Sequence, residues 1–251
     1  MYLENIVVDA LDPRALGSFW EALLGTRRLT DGPEGLETRL HLSPAGGEDG
    51  PFLDLCFQPV PEPPREPLRL HLDLLGGSRQ EQVVARARDL GARPLDIGQG
   101  AVPWVVLGDV EGNPFCVMEE REVYSGTGPI AALPLDSADP ARDADFWSRL
   151  TGWVATDGVA GASLRHPSGV GPLLELCQEP APKPGSLADG GKNRMHLDVR
   201  LEAGEDADAV AAEILARGGQ GLDPDWGELP WRVFTDPSGN EFCVLPASSG
   251  D

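Results

Sequence analysis

Two short segments hold the residues best suited to chemistry. Leu70-His71-Leu72-Asp73 and Met195-His196-Leu197-Asp198 each place a histidine and an aspartate two apart, and Phe115-Cys116 and Phe242-Cys243 add a thiol to each set. A histidine oriented by such an aspartate can act as a general base, whereas the histidines and cysteines together with the carboxylates Asp54 or Glu175 are donor types able to hold zinc or ferrous iron. Asp54 and Glu175, in similar runs Leu53-Asp54-Leu55-Cys56 and Leu174-Glu175-Leu176-Cys177, extend the sets. Residues two apart on a strand share a face but sit about 6–7 Å apart along it, so the spacing alone does not assure a His–Asp hydrogen bond. Other chemistries lack their signatures: there is no Gly-x-Gly-x-x-Gly after a strand, no Walker-type loop and no Gly-x-Ser-x-Gly.

The two sets recur because the chain is written twice. Trp104 to Met118 returns 127 residues later as Trp231 to Leu245, and the same offset carries Asp12-Pro13 onto Asp139-Pro140, Phe19-Trp20 onto Phe146-Trp147 and Gly25 onto Gly152. Repetition fixes architecture before any element is read, and it supplies a control. A feature in both copies answers to the fold; a feature in one copy is a candidate for function.

The elements that must position these residues follow a common order. Each copy opens with a strand, Asn5 to Asp9 or Ala131 to Asp136, then a helix capped by Asp12 or Asp139, with proline in its first turn and Gly25 or Gly152 at its end. Strands are predicted at Glu37 to Leu42 and Phe52 to Phe57, and at Ala162 to His166 and Leu173 to Gln178. Proline-rich stretches, 59–67 and 180–184, then act as linkers. A further strand follows (Arg69 to Leu74, Arg194 to Leu201), then a helix (Arg79 to Leu90, Asp206 to Arg217) and closing strands. Glu122 to Pro129 joins the copies, giving domains at 1–122 and 129–247.

Alternation along these strands separates two faces. One parity is apolar: Ile6 and Val8, Leu53 and Leu55, Leu70, Leu72 and Leu74, Phe115 and Val117. It should pack under the helices. The other carries Asn5, Asp54, Arg69, His71, Asp73 and Cys116, and in the second copy Glu175, Arg194, His196, Asp198 and Cys243. That mixture fits a semi-enclosed concave ligand surface. The opposing interpretation makes Arg69–Asp73 and Arg194–Asp198 structural ion pairs. Trp104 and Trp231 recur beside this face, as cavity lining or as packing.

The formal charge of −21 argues against nucleic acid and anionic membranes as partners; it serves solubility or, in the alternative reading, attracts a cationic ligand. No apolar run approaches the roughly 20 residues of a membrane span. The N-terminus enters a strand pattern directly, and the cysteines, Cys56, Cys116, Cys177 and Cys243, lie in apolar runs without a disulfide framework. A reducing cytoplasm is therefore the expected location.

Asp-Pro before a Phe-Trp helix, His-Leu-Asp after a proline-rich linker, and Asp236-Pro-Ser-Gly-Asn-Glu-Phe-Cys243, all on a doubled strand–helix–strands plan, resemble the vicinal oxygen chelate superfamily. The likeness is to its glyoxalase-like, bleomycin-resistance-like branch. It implies an α+β fold of two tandem glyoxalase/bleomycin resistance/dihydroxybiphenyl dioxygenase-like domains. Each would contain two paired βαβββ modules, with cupped mixed sheets and outer helices. It also implies four metal-ligand positions, occupied here by Asn5 or Ala132, Asp54 or Glu175, His71 or His196, and Cys116 or Cys243. The first position holds no usual ligand, and cysteine replaces the usual glutamate at the fourth.

The expected function is binding of a small organic molecule without the full metal site. Its alternative is a lyase, isomerase or dioxygenase using a divalent metal (Zn, Fe, Ni or Mn) to chelate vicinal substrate oxygens. Metal-free catalysis by His71 or His196 is the third reading. Asn5, Arg69, Asp73, Trp104, Arg194, Asp198 and Trp231 are the candidate ligand contacts. Metal groupings remain open: within one copy, or across copies as Asp54 with His196 and Cys243, and Glu175 with His71 and Cys116. So does assembly, as a monomeric pseudo-dimer or a homodimer.

Overall fold

The computed structural model describes residues 1–42, 50–62, 67–179, 183, 192–224 and 227–248. Four strand–helix–strands modules follow one another. The first comprises β1 (Tyr2–Ala10), α1 (Pro13–Leu24), β2 (Arg27–Gly32), β3 (Gly35–His41) and β4 (Phe52–Pro59). The second comprises β5 (Asp73–Leu75), α2 (Gln80–Asp89), β6 (Arg93–Pro94), β7 (Val105–Gly108) and β8 (Pro114–Met118). The third comprises β9 (Ile130–Ser137), α3 (Pro140–Thr151), β10 (Val154–Ala155), β11 (Ala162–Arg165) and β12 (Leu173–Gln178). The fourth comprises β13 (Met195–Arg200), α4 (Ala207–Ala216), β14 (Gln220–Leu222), β15 (Arg232–Thr235) and β16 (Glu241–Leu245).

Local chemistry explains the helix ends. Asp12 accepts from Ala15 N at 2.9 Å, and Asp139 accepts from Arg142 N at 3.2 Å. Gly25 and Gly152 close α1 and α3 at φ 73° and 71°, where a Cβ would be strained, and their N–H groups return to Glu21 and Ser148 carbonyls.

The modules pair across the copies. One eight-stranded sheet runs β14-β15-β16-β13-β1-β4-β3-β2, and the other β10-β11-β12-β9-β5-β8-β7-β6. We call them sheets A and B. Antiparallel joints between β1 and β13 and between β5 and β9 stitch the first half of one copy to the second half of the other. Each sheet is mixed, with parallel pairing at β1–β4 and β13–β16 in A, and at β9–β12 and β5–β8 in B.

The apolar parity packs as expected. Ile6, Val8, Leu55, Leu74, Phe115, Val117, Leu174, Leu197 and Phe242 join Phe19, Trp20, Phe146 and Trp147 of the helices in one continuous core that crosses both sheets. Burial of these side chains supplies the main driving force for folding.

Two elements differ from expectation. The strand foreseen over Arg69 to Leu74 is reduced to β5 and an isolated bridge between Leu70 and Leu135. His71 N donates to Pro134 O at 3.2 Å, but Pro134 has no N–H to return, so the ladder breaks there. Val7 holds the equivalent place in sheet A, and β13 is regular. The joint 122–129 is more than a linker, because Tyr124 within it is fully buried. The proline-rich stretches lie partly outside the described residues, at 63–66, 180–182 and 184.

Candidate functional site

The polar parity of each sheet forms a row crossing five strands. In sheet A the backbone register sets Arg39, Asp54, Asn5, Asp198 and Cys243 side by side. In sheet B the matching register reads Arg165, Leu173, Ala132, Asp73 and Cys116. Arginine, aspartate and cysteine recur. Asp54 and Asn5 are replaced by Leu173 and Ala132.

This register revises one equivalence. Sequence alignment pairs Asp54 with Glu175, but Asp54 sits opposite Asn5, whereas Leu173 sits opposite Ala132, the repeat counterpart of Asn5. Strand β12 has therefore slid two residues along β9 relative to β4 along β1. Glu175 falls in the next row, opposite Pro134 and Ser163, where it accepts from Val159 N at 3.3 Å. Burial raises its carboxyl above the usual range, with a further push from Asp73.

The donor clusters form within single copies rather than across them. His196, Asp198 and Cys243 form one cluster, and His71, Asp73 and Cys116 the other, each with one donor atom per residue within 4.8 Å of the others. The His–Asp separations are 3.4 Å in sheet A and 3.3 Å in sheet B. The side chains lean together, closing the gap that strand spacing alone would leave. Cys243 Sγ lies 3.7 Å from His196 Nε2. Burial, with Asp198 alongside, pushes the Cys243 thiol well above its ordinary range, and burial likewise raises Cys116. All four cysteines are free thiols.

The other candidates sort by sheet. Asn5 Nδ2 donates to Asp198 Oδ2 at 3.0 Å. Asp54 is buried under a bidentate pair with Arg39, at 2.8 and 2.6 Å. Trp231 lines a cavity of about 830 Å³ on the open face of sheet A, together with Asn5, Gln58, His196, Asp198 and Cys243. Trp104 instead packs in sheet B with Tyr124, Val106, Cys116 and Met118. His71 and Cys116 line a smaller cleft of about 430 Å³ that Arg194 also borders.

The arginines stabilise turns. Arg69 donates to the carbonyls of Gly239 and Ser238 at 2.5 and 2.9 Å, and Arg194 pairs with Glu111 at 2.7 Å. Neither forms the ion pair with Asp73 or Asp198 that the sequence left open.

Two residues escaped sequence reading. Arg39 was legible in principle, since Arg165 recurs at the matching register, but only the sheet shows that its partner Asp54 becomes Leu173. Tyr124 belongs to the joint between copies and has no repeat counterpart. It fills the open face of sheet B against Ala132 and Leu173, with its hydroxyl buried and unpartnered.

The four metal-ligand positions implied by the resemblance do not fit a bound ion in either sheet. In sheet A, Asn5 directs its amide to Asp198 and Asp54 is neutralised by Arg39. In sheet B, the first position is Ala132 and Glu175 lies one row away. Each sheet retains a His, Asp, Cys cluster of metal-ligating residue types.

Two mixed sheets, each completed across tandem βαβββ modules and each backed by helices, define a vicinal oxygen chelate protein. The sequence profile of the glyoxalase-like domain matches residues 5–118 and 132–245, and the chain belongs to that family. A putative dioxygenase from Bacillus subtilis superposes with a TM-score of 0.60 at 14% identity, covering 100% of this chain and 86% of that one. Glyoxalase I from Zea mays superposes with a TM-score of 0.61 at 14% identity, covering 98% and 92%. These likenesses establish fold and leave activity to the site. No curated protein matches by sequence.

Proposed function

We propose that the protein binds a small organic molecule in the sheet A cavity, one per chain, while sheet B serves as scaffold. The observation that carries this reading is the asymmetry of the two open faces. Sheet A keeps Asn5 and Asp54 in its polar row and leaves about 830 Å³ above it. Sheet B has Ala132 and Leu173 in those places and is covered by Tyr124. A cavity of that volume suits a drug-sized ligand. Its floor is polar and Trp231, Leu229 and Pro230 give an apolar wall. A ligand with a polar head and a flat apolar body matches both.

A single chain suffices in this reading, because both sheets are completed within it. The free thiols support a reducing, cytoplasmic setting. Among the described residues no helix is long and apolar enough to cross a membrane.

A thermal-shift screen of amphipathic small molecules, cationic ones included, tests the assignment. Hits should lose their shift in Trp231→Ala and His196→Ala and keep it in His71→Ala. Hits that depend on His71 and not on His196 would place the working site in sheet B and defeat the proposal.

A further inference from the structure

The charges on the open face of sheet A are unevenly committed. Lys192 pairs with Asp9 at 2.5 Å, Arg200 with Glu4 at 2.5 Å and Arg39 with Asp54 at 2.6 Å. Among the described residues no cation pairs with Glu34 or Glu37. Glu34 stands exposed at the rim, but Glu37 is half-buried, and its one hydrogen bond comes from the Cys56 thiol at 3.6 Å. It lines a side cleft of about 440 Å³ that shares Glu34 and Gln58 with the main cavity. Burial, with Asp54 nearby, raises its carboxyl above the usual range. A half-buried carboxylate without a cation has lost hydration and gained little in return. Asn5 adds a second acceptor: it is 7% exposed, lines the cavity, and its Oδ1 is buried without a donor. Glu37 belongs to one copy only, since Ser163 holds its register place in sheet B.

Taking the small-molecule reading of this cavity as the premise, we propose that its ligand is a cationic amphiphile: a protonated amine seated on Glu37 and joined to a flat apolar ring that lies on Trp231. An ammonium group brings N–H donors and positive charge together, and both match a carboxylate. A hydroxyl or amide head leaves the charge of Glu37 uncompensated, and a carboxylate head is repelled by Glu34 and Glu37. Lys192 and Arg200 border the cavity, but their partners Asp9 and Glu4 already neutralise them, so an anion has no free cation to meet. The opposite end is apolar. Leu229, Pro230 and Trp231 line it, and Leu222, Val233 and Leu245 pack beside them. Glu37 lies on β3 and Trp231 immediately before β15, five strand intervals apart in sheet A. Strands stand about 4.8 Å apart, so roughly 24 Å of sheet separates the two positions. Charge and ring therefore occupy opposite ends of an elongated ligand. Asn5 lies between them on β1, placed to accept from an N–H in the linking chain.

The test uses the full-length protein and two probes: a naphthamide carrying an alkylammonium tail, and the same compound with its amine acetylated and so uncharged. Calorimetry should show the ammonium probe binding once per chain, about tenfold or more tighter than the neutral one, the size of a charge-assisted hydrogen bond. Glu37→Gln keeps the shape and removes the charge. It should erase the preference and leave the neutral probe within about twofold of wild type. Glu34→Gln, at an exposed position, should change the preference by no more than about threefold. Trp231→Ala should weaken both probes. Circular dichroism checks folding, and Glu37→Leu gives the same readout if Glu37→Gln does not fold. The proposal is overturned by equal affinity of the two probes in wild type, by a preference that survives in Glu37→Gln, by one that is lost in Glu34→Gln, or by failure of both probes to bind. Equal binding of both probes that is lost in Trp231→Ala and His196→Ala would overturn the cationic head alone. Binding that depends on His71 and not on His196 would overturn the small-molecule reading of the sheet A cavity as well.

Discussion

Trp147 Nε1 donates a 3.0 Å hydrogen bond to Asp236 Oδ2 across 89 residues, with both side chains buried. Trp20 and Asp109 repeat it at 3.2 Å across the same separation. The tryptophan comes from a helix packed on one sheet and the aspartate from a turn at the edge of the other. Each bond therefore ties sheet to sheet. The recurring Asp-x-x-Gly turn, Asp109 to Gly112 and Asp236 to Gly239, supplies the acceptor. Asp236 also accepts from Ser238 N and from both the backbone and side-chain amides of Asn240, at 2.8–2.9 Å.

Removing that acceptor strands four buried donors. Asp236→Ala is expected to destabilise by about 3–5 kcal/mol, and Trp147→Phe by about 1–3 kcal/mol for one lost donor. Urea denaturation of both variants measures this. A loss below about 0.5 kcal/mol in Asp236→Ala would show that the turn does not need its carboxylate.

Tyr124 makes a sharper test because its ring and hydroxyl separate. The ring fills sheet B, so Tyr124→Ala should cost about 3–5 kcal/mol, as large aromatic deletions do. The hydroxyl has no partner, so Tyr124→Phe should be neutral or slightly stabilising. A clear loss in Tyr124→Phe would reveal a hydrogen bond to the hydroxyl.

Cross-copy pairing predicts that half a chain cannot stand alone as a monomer. Residues 1–125 supply β1–β4 to one sheet and β5–β8 to the other, and lack the strands that pair with β1 and β5. Expressed alone, that segment should aggregate or form a homodimer that copies the internal one. A stable, folded monomer on light scattering would contradict the topology.

The thiols give a pH prediction. Burial pushes Cys177 up to about 12, and raises Cys56, Cys116 and Cys243 as well. A raised acid holds its proton in the folded chain while the unfolded chain releases it above about pH 8.5. The stabilisation is thus complete below about pH 8.5 and declines as pH rises toward the folded value, at up to about 1.4 kcal/mol per pH unit for each thiol. Urea midpoints from pH 7 to 10 should fall, and fall less steeply in Cys177→Ala. Thiol alkylation of the native protein at pH 8 should be far slower than that of a free cysteine.

By itself the sequence determined the tandem repeat, the capped α1 and α3, the apolar face under the helices and the polar parity that carries His196, Asp198 and Cys243. Each depends on local chemistry or on period-two alternation, both printed along the chain. Two things only the tertiary structure decided. One is that β1 pairs with β13, and β5 with β9, setting Asn5 of the first copy against Asp198 of the second, because strand pairing is non-local. The other is that β12 slides two residues, setting Leu173 rather than Glu175 opposite Ala132. A slip of one residue would have turned the apolar face outward and been visible in the pattern. A slip of two preserves parity, so the alternation reads the same in either register, and only packing shows which side chain meets the site.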